Sequence, residues 1–160
     1  MISLTFLLWA YALALCIHVT DEYNSNGGFV NWVKTKFYPE YTDKKFLIAN
    51  TAIFILHICF ILLYSEVNNK LVILPFITSW IFTGNGIAHW IYTIRKKEHS
   101  PGFMTSPIYW ILMYFILRYY VLLDSNLIKP FIVSFVIGGS LGIVSFYTFY
   151  ITKLKSKNKS

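Results

Sequence analysis

A polytopic bundle of transmembrane helices is the fold class this sequence predicts, and three observations predict it. Long apolar runs recur along the chain, each near the 17–25 residues, roughly, that cross a hydrocarbon core. Charged residues make up only 13% of the 160 positions, against about a quarter in a soluble domain. The basic residues also collect in alternate gaps between the runs, as loops of a membrane protein do. With 56% hydrophobic residues, a soluble fold of this length has too little interior to hide its apolar surface.

Five spans are expected, at about 2–19, 46–65, 71–94, 107–123 and 131–152. They form one domain, residues 1–152, followed by a basic tail, 153–160. No basic residue precedes the first run, so it is read as a retained span rather than a cleaved signal peptide. Counting Lys and Arg sets the orientation. Eleven lie in the loops after spans one and three and in the tail, and two, Lys70 and Lys129, lie in the other loops. The positive-inside rule then places the N-terminus outside and the C-terminus in the cytoplasm. The net charge of +7 is therefore assigned to topology and anionic lipid, and nucleic acid is not expected as a partner.

The one long connection joins spans one and two. Phe29, Trp32, Val33 and Phe37 recur there at helical spacing with Lys34 and Lys36 between them. That pattern suits either a short interfacial helix over 29–38 or an ordered loop with aromatic anchors. Asn26-Gly27-Gly28 supplies a turn before it and Pro39 a stop. In span five, Ser134, Gly138 and Gly142 form a small-residue stripe, a packing face for the bundle or for a second copy in a homo-oligomer. Cys16 and Cys59 read as small buried hydrophobes.

Polar residues inside spans are costly, a central Asp, Lys or Arg about 2.5–3.5 kcal/mol each, and so mark candidate sites. His18, Asp21 and Glu22 stand at i, i+3 and i+4 at the end of span one and share a face if the helix continues. Asn85 and His89 share a face of span three, and Asn50 and His57 share a face of span two. At about 1.5 Å per residue, His18, Asp21, Glu22, Asn50, Asn85 and His89 fall at similar depth near the cytoplasmic face. His57 and Arg118 fall roughly 16 Å in, near the midplane, where both can floor one cavity. Membrane lipids are the expected surroundings and a multi-pass plasma-membrane protein the expected setting.

The segment His18-Val19-Thr20-Asp21-Glu22 resembles the motif of the HXXEE family, small uncharacterised bacterial integral membrane proteins. Asn85 with His89, and then Ser100-Pro101-Gly102, resemble later elements of that family, so the likeness runs from His18 to about Pro107. One position departs: the first Glu of the motif is Asp21 here, one methylene shorter. The resemblance implies a helical membrane protein and brings no reaction with it.

Three functions compete. The first is a membrane enzyme acting on a lipid-like substrate. His18, Asp21, Glu22 and His89 are its candidate catalytic groups, and Asn50, Asn85, His57 and Arg118 line its substrate. In the metal-dependent form His18 and His89 with one carboxylate, Glu22 in the set chosen, hold a divalent ion such as zinc. In the metal-free form Glu22 or His89 moves a proton. The second is a small transporter or proton- or ion-binding protein, weakened because the outer half of every span offers no polar steps beyond hydroxyls. The third is a structural protein whose polar residues only join helices. Taken singly, His57 fits that last role best.

Overall fold

The computed structural model describes residues 3–25, 28–145 and 148. Asn26 and Gly27 of the expected turn, the end of the fifth expected span (146, 147 and 149–152) and the basic tail 153–160 lie outside the described residues. Among the described residues the fold is all helical, in six helices. α1 spans Leu4–Asn24, α2 Gly28–Lys36, α3 Asp43–Leu62, α4 Ile73–Lys96, α5 Pro107–Ile116 and α6 Ser125–Ser134. α3, α5 and α6 each run on through a widened π turn, at Leu63–Val67, Leu117–Val121 and Phe135–Gly139. A 3-10 turn, Asn69–Val72, leads into α4.

The ends follow local chemistry. Ser3 and Thr42 accept hydrogen bonds from Phe6 and Lys45 N–H and so cap α1 and α3. Asp124 caps α6 through Asn126 N–H, which starts that helix six residues before the expected Phe131 and leaves Pro130 inside it. Pro75 and Pro107 fall in first turns, where their missing N–H groups cost nothing. α1 outlasts the expected span by five residues, so His18, Asp21 and Glu22 do lie on one continuous helix. α4 ends where Lys97 takes a left-handed backbone, φ 54°.

Four of these helices, Leu4–Asn24, Asp43–Val67, Asn69–Lys96 and Ser125–Ser145, are long and apolar enough to cross a membrane. α5 with its π turn covers only residues 107–121, roughly 22 Å at helical rise. α4 is the hub: it packs on α1, α3, α5 and α6, and its apolar part is the most enclosed of the four. The small-residue stripe lies against it. A methyl on Gly84 would stand 2.9 Å from the Gly139 carbonyl, and one on Gly142 3.0 Å from Asn85 N. Side chains larger than hydrogen cannot occupy that contact. The other helix at this stripe is thus α4 of the same chain.

Two apolar clusters hold the fold. The larger joins Leu8, Tyr11, Phe76, Phe82, Tyr109 and Ile116 through the bundle centre. The smaller joins Phe29, Trp32, Val33, Phe37, Tyr41 and Phe46 at one end. α2 is therefore a helix whose apolar face turns onto the ends of α1 and α3, with Asn31, Lys34 and Thr35 outward. Cys16 and Cys59 are both free and exposed, which corrects the expectation of burial. They stand on outward faces of apolar helices, where a small hydrophobe suits lipid as well as it suits a core.

Candidate functional site

Three side chains converge at the end of the bundle that carries α2. His18 and Glu22, one turn apart on α1, and His89 on α4 are 1%, 4% and 0% exposed, so the cluster is sealed from bulk water. Nε2 of His89 lies 3.1 Å from Oε1 of Glu22, and Nε2 of His18 lies 3.5 Å from the same oxygen. One donor atom from each residue falls within 4.8 Å of the others. The His18 and His89 rings meet edge to face, 5.4 Å between centroids.

The outer nitrogens of both rings are held by one loop. Residues 97–106 fold back from α4 to α5 over the cluster. Ser100 Oγ sits 2.7 Å from Nδ1 of His89, and Thr105 Oγ1 sits 2.9 Å from Nδ1 of His18. Thr105 also donates to Oδ2 of Asp21 at 2.9 Å. Between them Gly102 takes φ +85°, and a methyl there would come within 2.7 Å of His18 Cε1 and 2.9 Å of Glu22 Cγ. Glycine is required twice over, by the backbone and by the close approach to the site.

α2 and the turn after it close the same end. The Phe29 ring lies 6.0 Å from the His89 ring, and Phe29 also packs on Tyr41 and Phe46. Burial, with the Glu22 carboxylate nearby, pushes the Tyr41 phenol up to about 12, so it stays protonated. At the surface Lys36 of α2 pairs with Glu98 of the loop at 2.9 Å. The Lys36 ammonium holds the Glu98 carboxyl below its ordinary range, and Glu98 raises Lys36 in turn.

The other expected residues divide. Asn85 joins the cluster, its amide 3.3 Å from Nε2 of His89. Asp21 is one step removed, reaching His18 through Thr105, and its other oxygen accepts from Ser25 Oγ. Asn50 donates to the carbonyl of Phe46 on its own helix. His57 is fully buried, with Nδ1 2.6 Å from Thr78 Oγ1 and Nε2 3.2 Å from the Leu8 carbonyl. Leu8 precedes His18 by ten residues, roughly 15 Å along α1. Arg118 was expected at the midplane beside His57. The structure puts it on the outer surface over the Tyr119 ring, in the widened turn at the end of α5. The reason is length: 16 Å from one end of a 22 Å helix is close to the other end. Sequence reasoning did not single out Thr105 or Tyr109. Tyr109 is fully buried with its ring 5.2 Å from His18 and its hydroxyl without a hydrogen bond. A hydroxyl five residues beyond Ser100 in the Pro-Gly loop was the available signal for Thr105.

The donor set fits a divalent metal. A tetrahedral zinc with bonds of about 2.0–2.1 Å spaces its ligand atoms roughly 3.3 Å apart, close to the 3.5 and 3.1 Å that separate Glu22 Oε1 from the two imidazole nitrogens, and the three donor atoms all lie within 4.8 Å of one another. Nε2 of His18 is buried and makes no hydrogen bond, although it faces the Glu22 carboxylate.

Fold and cluster together define a class: a helical protein with four helices long and apolar enough to cross a membrane, built around a buried pair of histidines and a glutamate. The chain belongs to the family described as "Protein of unknown function with HXXEE motif", whose model matches residues 9–117. That match covers all three cluster residues and the loop that holds them. No curated protein and no solved structure matches the chain.

Proposed function

We propose that this protein is a multi-pass plasma-membrane enzyme whose His18, Glu22 and His89 hold a divalent metal for chemistry on a lipid-like substrate. One observation carries the reading: three buried donor atoms converge, and one of them, Nε2 of His18, has no hydrogen-bonding partner. A divalent ion there supplies Lewis acidity toward a carbonyl or phosphoryl oxygen. The chain's own residues do the rest. Glu22 brings the negative charge that two neutral imidazoles lack. Asn85, half-buried beside His89, offers an amide to orient a substrate polar group. Gly102, Phe29 and Tyr41 keep water from the far side.

The substrate class follows from placement. His18 lies six residues and Glu22 two residues inside the end of α1, and His89 seven inside the end of α4, so the cluster stands roughly 3–10 Å from the helix ends. A polar headgroup joined to an apolar body reaches that depth. In this reading α5 is a fifth crossing, shorter than its neighbours. The N-terminus is outside and the cluster end of the bundle is cytoplasmic.

The test is elemental analysis of protein purified in detergent without chelator, beside a His18→Ala/His89→Ala variant. Near-stoichiometric zinc, iron or manganese in the wild type and none in the variant is the expected result. No metal in either removes the metal reading and leaves proton transfer or plain helix packing.

A further inference from the structure

The loop Lys97–Ser106 contributes more than a cover, and its contacts assign a role to Thr105. The hydroxyl of Thr105 has one proton to donate. Three acceptors compete for it: Oδ2 of Asp21 at 2.9 Å, an unprotonated Nδ1 of His18 at 2.9 Å and the Gly102 carbonyl at 3.3 Å. The charged acceptor takes that proton, because charge-assisted hydrogen bonds are the stronger ones. Toward Nδ1 of His18, 2.9 Å away, the same oxygen can only accept. Nδ1 of His18 must then carry the ring proton. In the neutral imidazole the other nitrogen, Nε2, is left with its lone pair. That is the nitrogen facing Glu22 and His89.

We infer that Thr105 is a positioning residue, its hydroxyl linking Asp21 to His18 and fixing the histidine tautomer that presents Nε2 to a metal. The inference rests on the metal reading above for its purpose, but its geometry stands without it. Carboxylates and hydroxyls that orient a ligating histidine in this way are a general feature of metal sites. The arrangement also separates the two adjacent carboxylates. Glu22 faces the two Nε2 atoms and would hold the ion with them, and Asp21 acts at one remove, through Thr105. A partner reached through an intervening hydroxyl has slack, and this accounts for Asp in place of Glu at position 21. Ser100, five residues earlier in the same loop, places a hydroxyl at Nδ1 of His89 with no carboxylate behind it among the described residues.

The experiment is nitrogen NMR of metal-free protein labelled in its histidine rings, at about pH 8.5, where ordinary imidazoles are neutral. His18 is assigned by comparison with His18→Gln. Zinc affinity is measured separately by competition with a chelating dye, on wild type, Thr105→Val and Thr105→Ser. The expected result is a wild-type His18 protonated on Nδ1. In Thr105→Val the proton moves toward Nε2 and zinc binding weakens about 10–100-fold, and Thr105→Ser restores both. A wild-type His18 protonated on Nε2 overturns the proposal, even where Thr105→Val fails to fold. So does an unchanged tautomer in Thr105→Val or, where the wild type binds zinc, an unchanged zinc affinity in that variant. The expected tautomers with no zinc bound by the wild type leave the positioning role intact and remove the metal reading alone.

Discussion

Two buried histidines one helix apart show how environment decides role. His57 and His89 are both 0% exposed. Both nitrogens of His57 are engaged, one by Thr78 and one by the Leu8 carbonyl, and Phe82 and Tyr11 pack around its ring. Such a residue joins helices. His57→Ala is expected to lower stability in detergent by about 2–4 kcal/mol, through the cavity and the two lost contacts. Metal content per folded molecule should stay at the wild-type level. His89→Ala is expected to do the reverse: metal is lost, and thermal stability falls less. Parallel melting curves and elemental analysis of the two variants check both. At this scale the sequence was legible where spacing on one helix determined the answer, as for His18 and Glu22. It was silent on Thr105, and it offered Ser100 only as part of a family element with no partner, because each meets its histidine across a tertiary contact that no local period records. It misplaced Arg118, because depth was counted from one end of a helix whose length was not yet known.

α2 and the loop after α4 are the two segments that close the site, and they meet at the Lys36–Glu98 pair. The pair is exposed, so water screens it and it adds little to global stability. A local effect is expected instead, on how often α2 lifts. Glu98→Gln is expected to leave the melting temperature unchanged and to speed amide exchange through Gly28–Lys36. The pH dependence has a definite sign. The Glu98 carboxyl is held below its ordinary range, so the pair is intact at neutral pH and is lost as pH falls through that lowered range. Exchange in α2 should rise there in the wild type and show no such rise in Glu98→Gln. Equal exchange in both proteins at neutral pH would remove this latch. The helical period of Phe29, Trp32 and Val33 was readable in the sequence. Which surface they face was not, since an apolar stripe suits lipid headgroups and a protein interior equally well, and only the convergence of Phe29, Tyr41 and Phe46 decides it.

For the whole molecule, the fold class was legible because lipid demands long apolar helices, and that demand is written directly in composition. The number of crossings was less so, because α5 is short and part of its length is a π turn. The orientation proposed here places Ser160 in the cytoplasm. A fluorescent reporter fused at the C-terminus is expected to mature inside the cell, and a reporter requiring export is expected to stay inactive. The opposite pattern would put the site at the outer face and send the search for a substrate to the other leaflet. The widened turn at Phe135–Gly139 bears on how the bundle closes. Residues four apart on an ordinary α-helix drift by about 40° per step, so Ser134, Gly138 and Gly142 would spiral away from a straight neighbour. A turn closed at the fifth residue rather than the fourth takes up that drift. Gly138 lies against Ile77 and Trp80, and Gly142 against Ile81, Gly84 and Asn85, so the stripe stays on α4 across the widened turn.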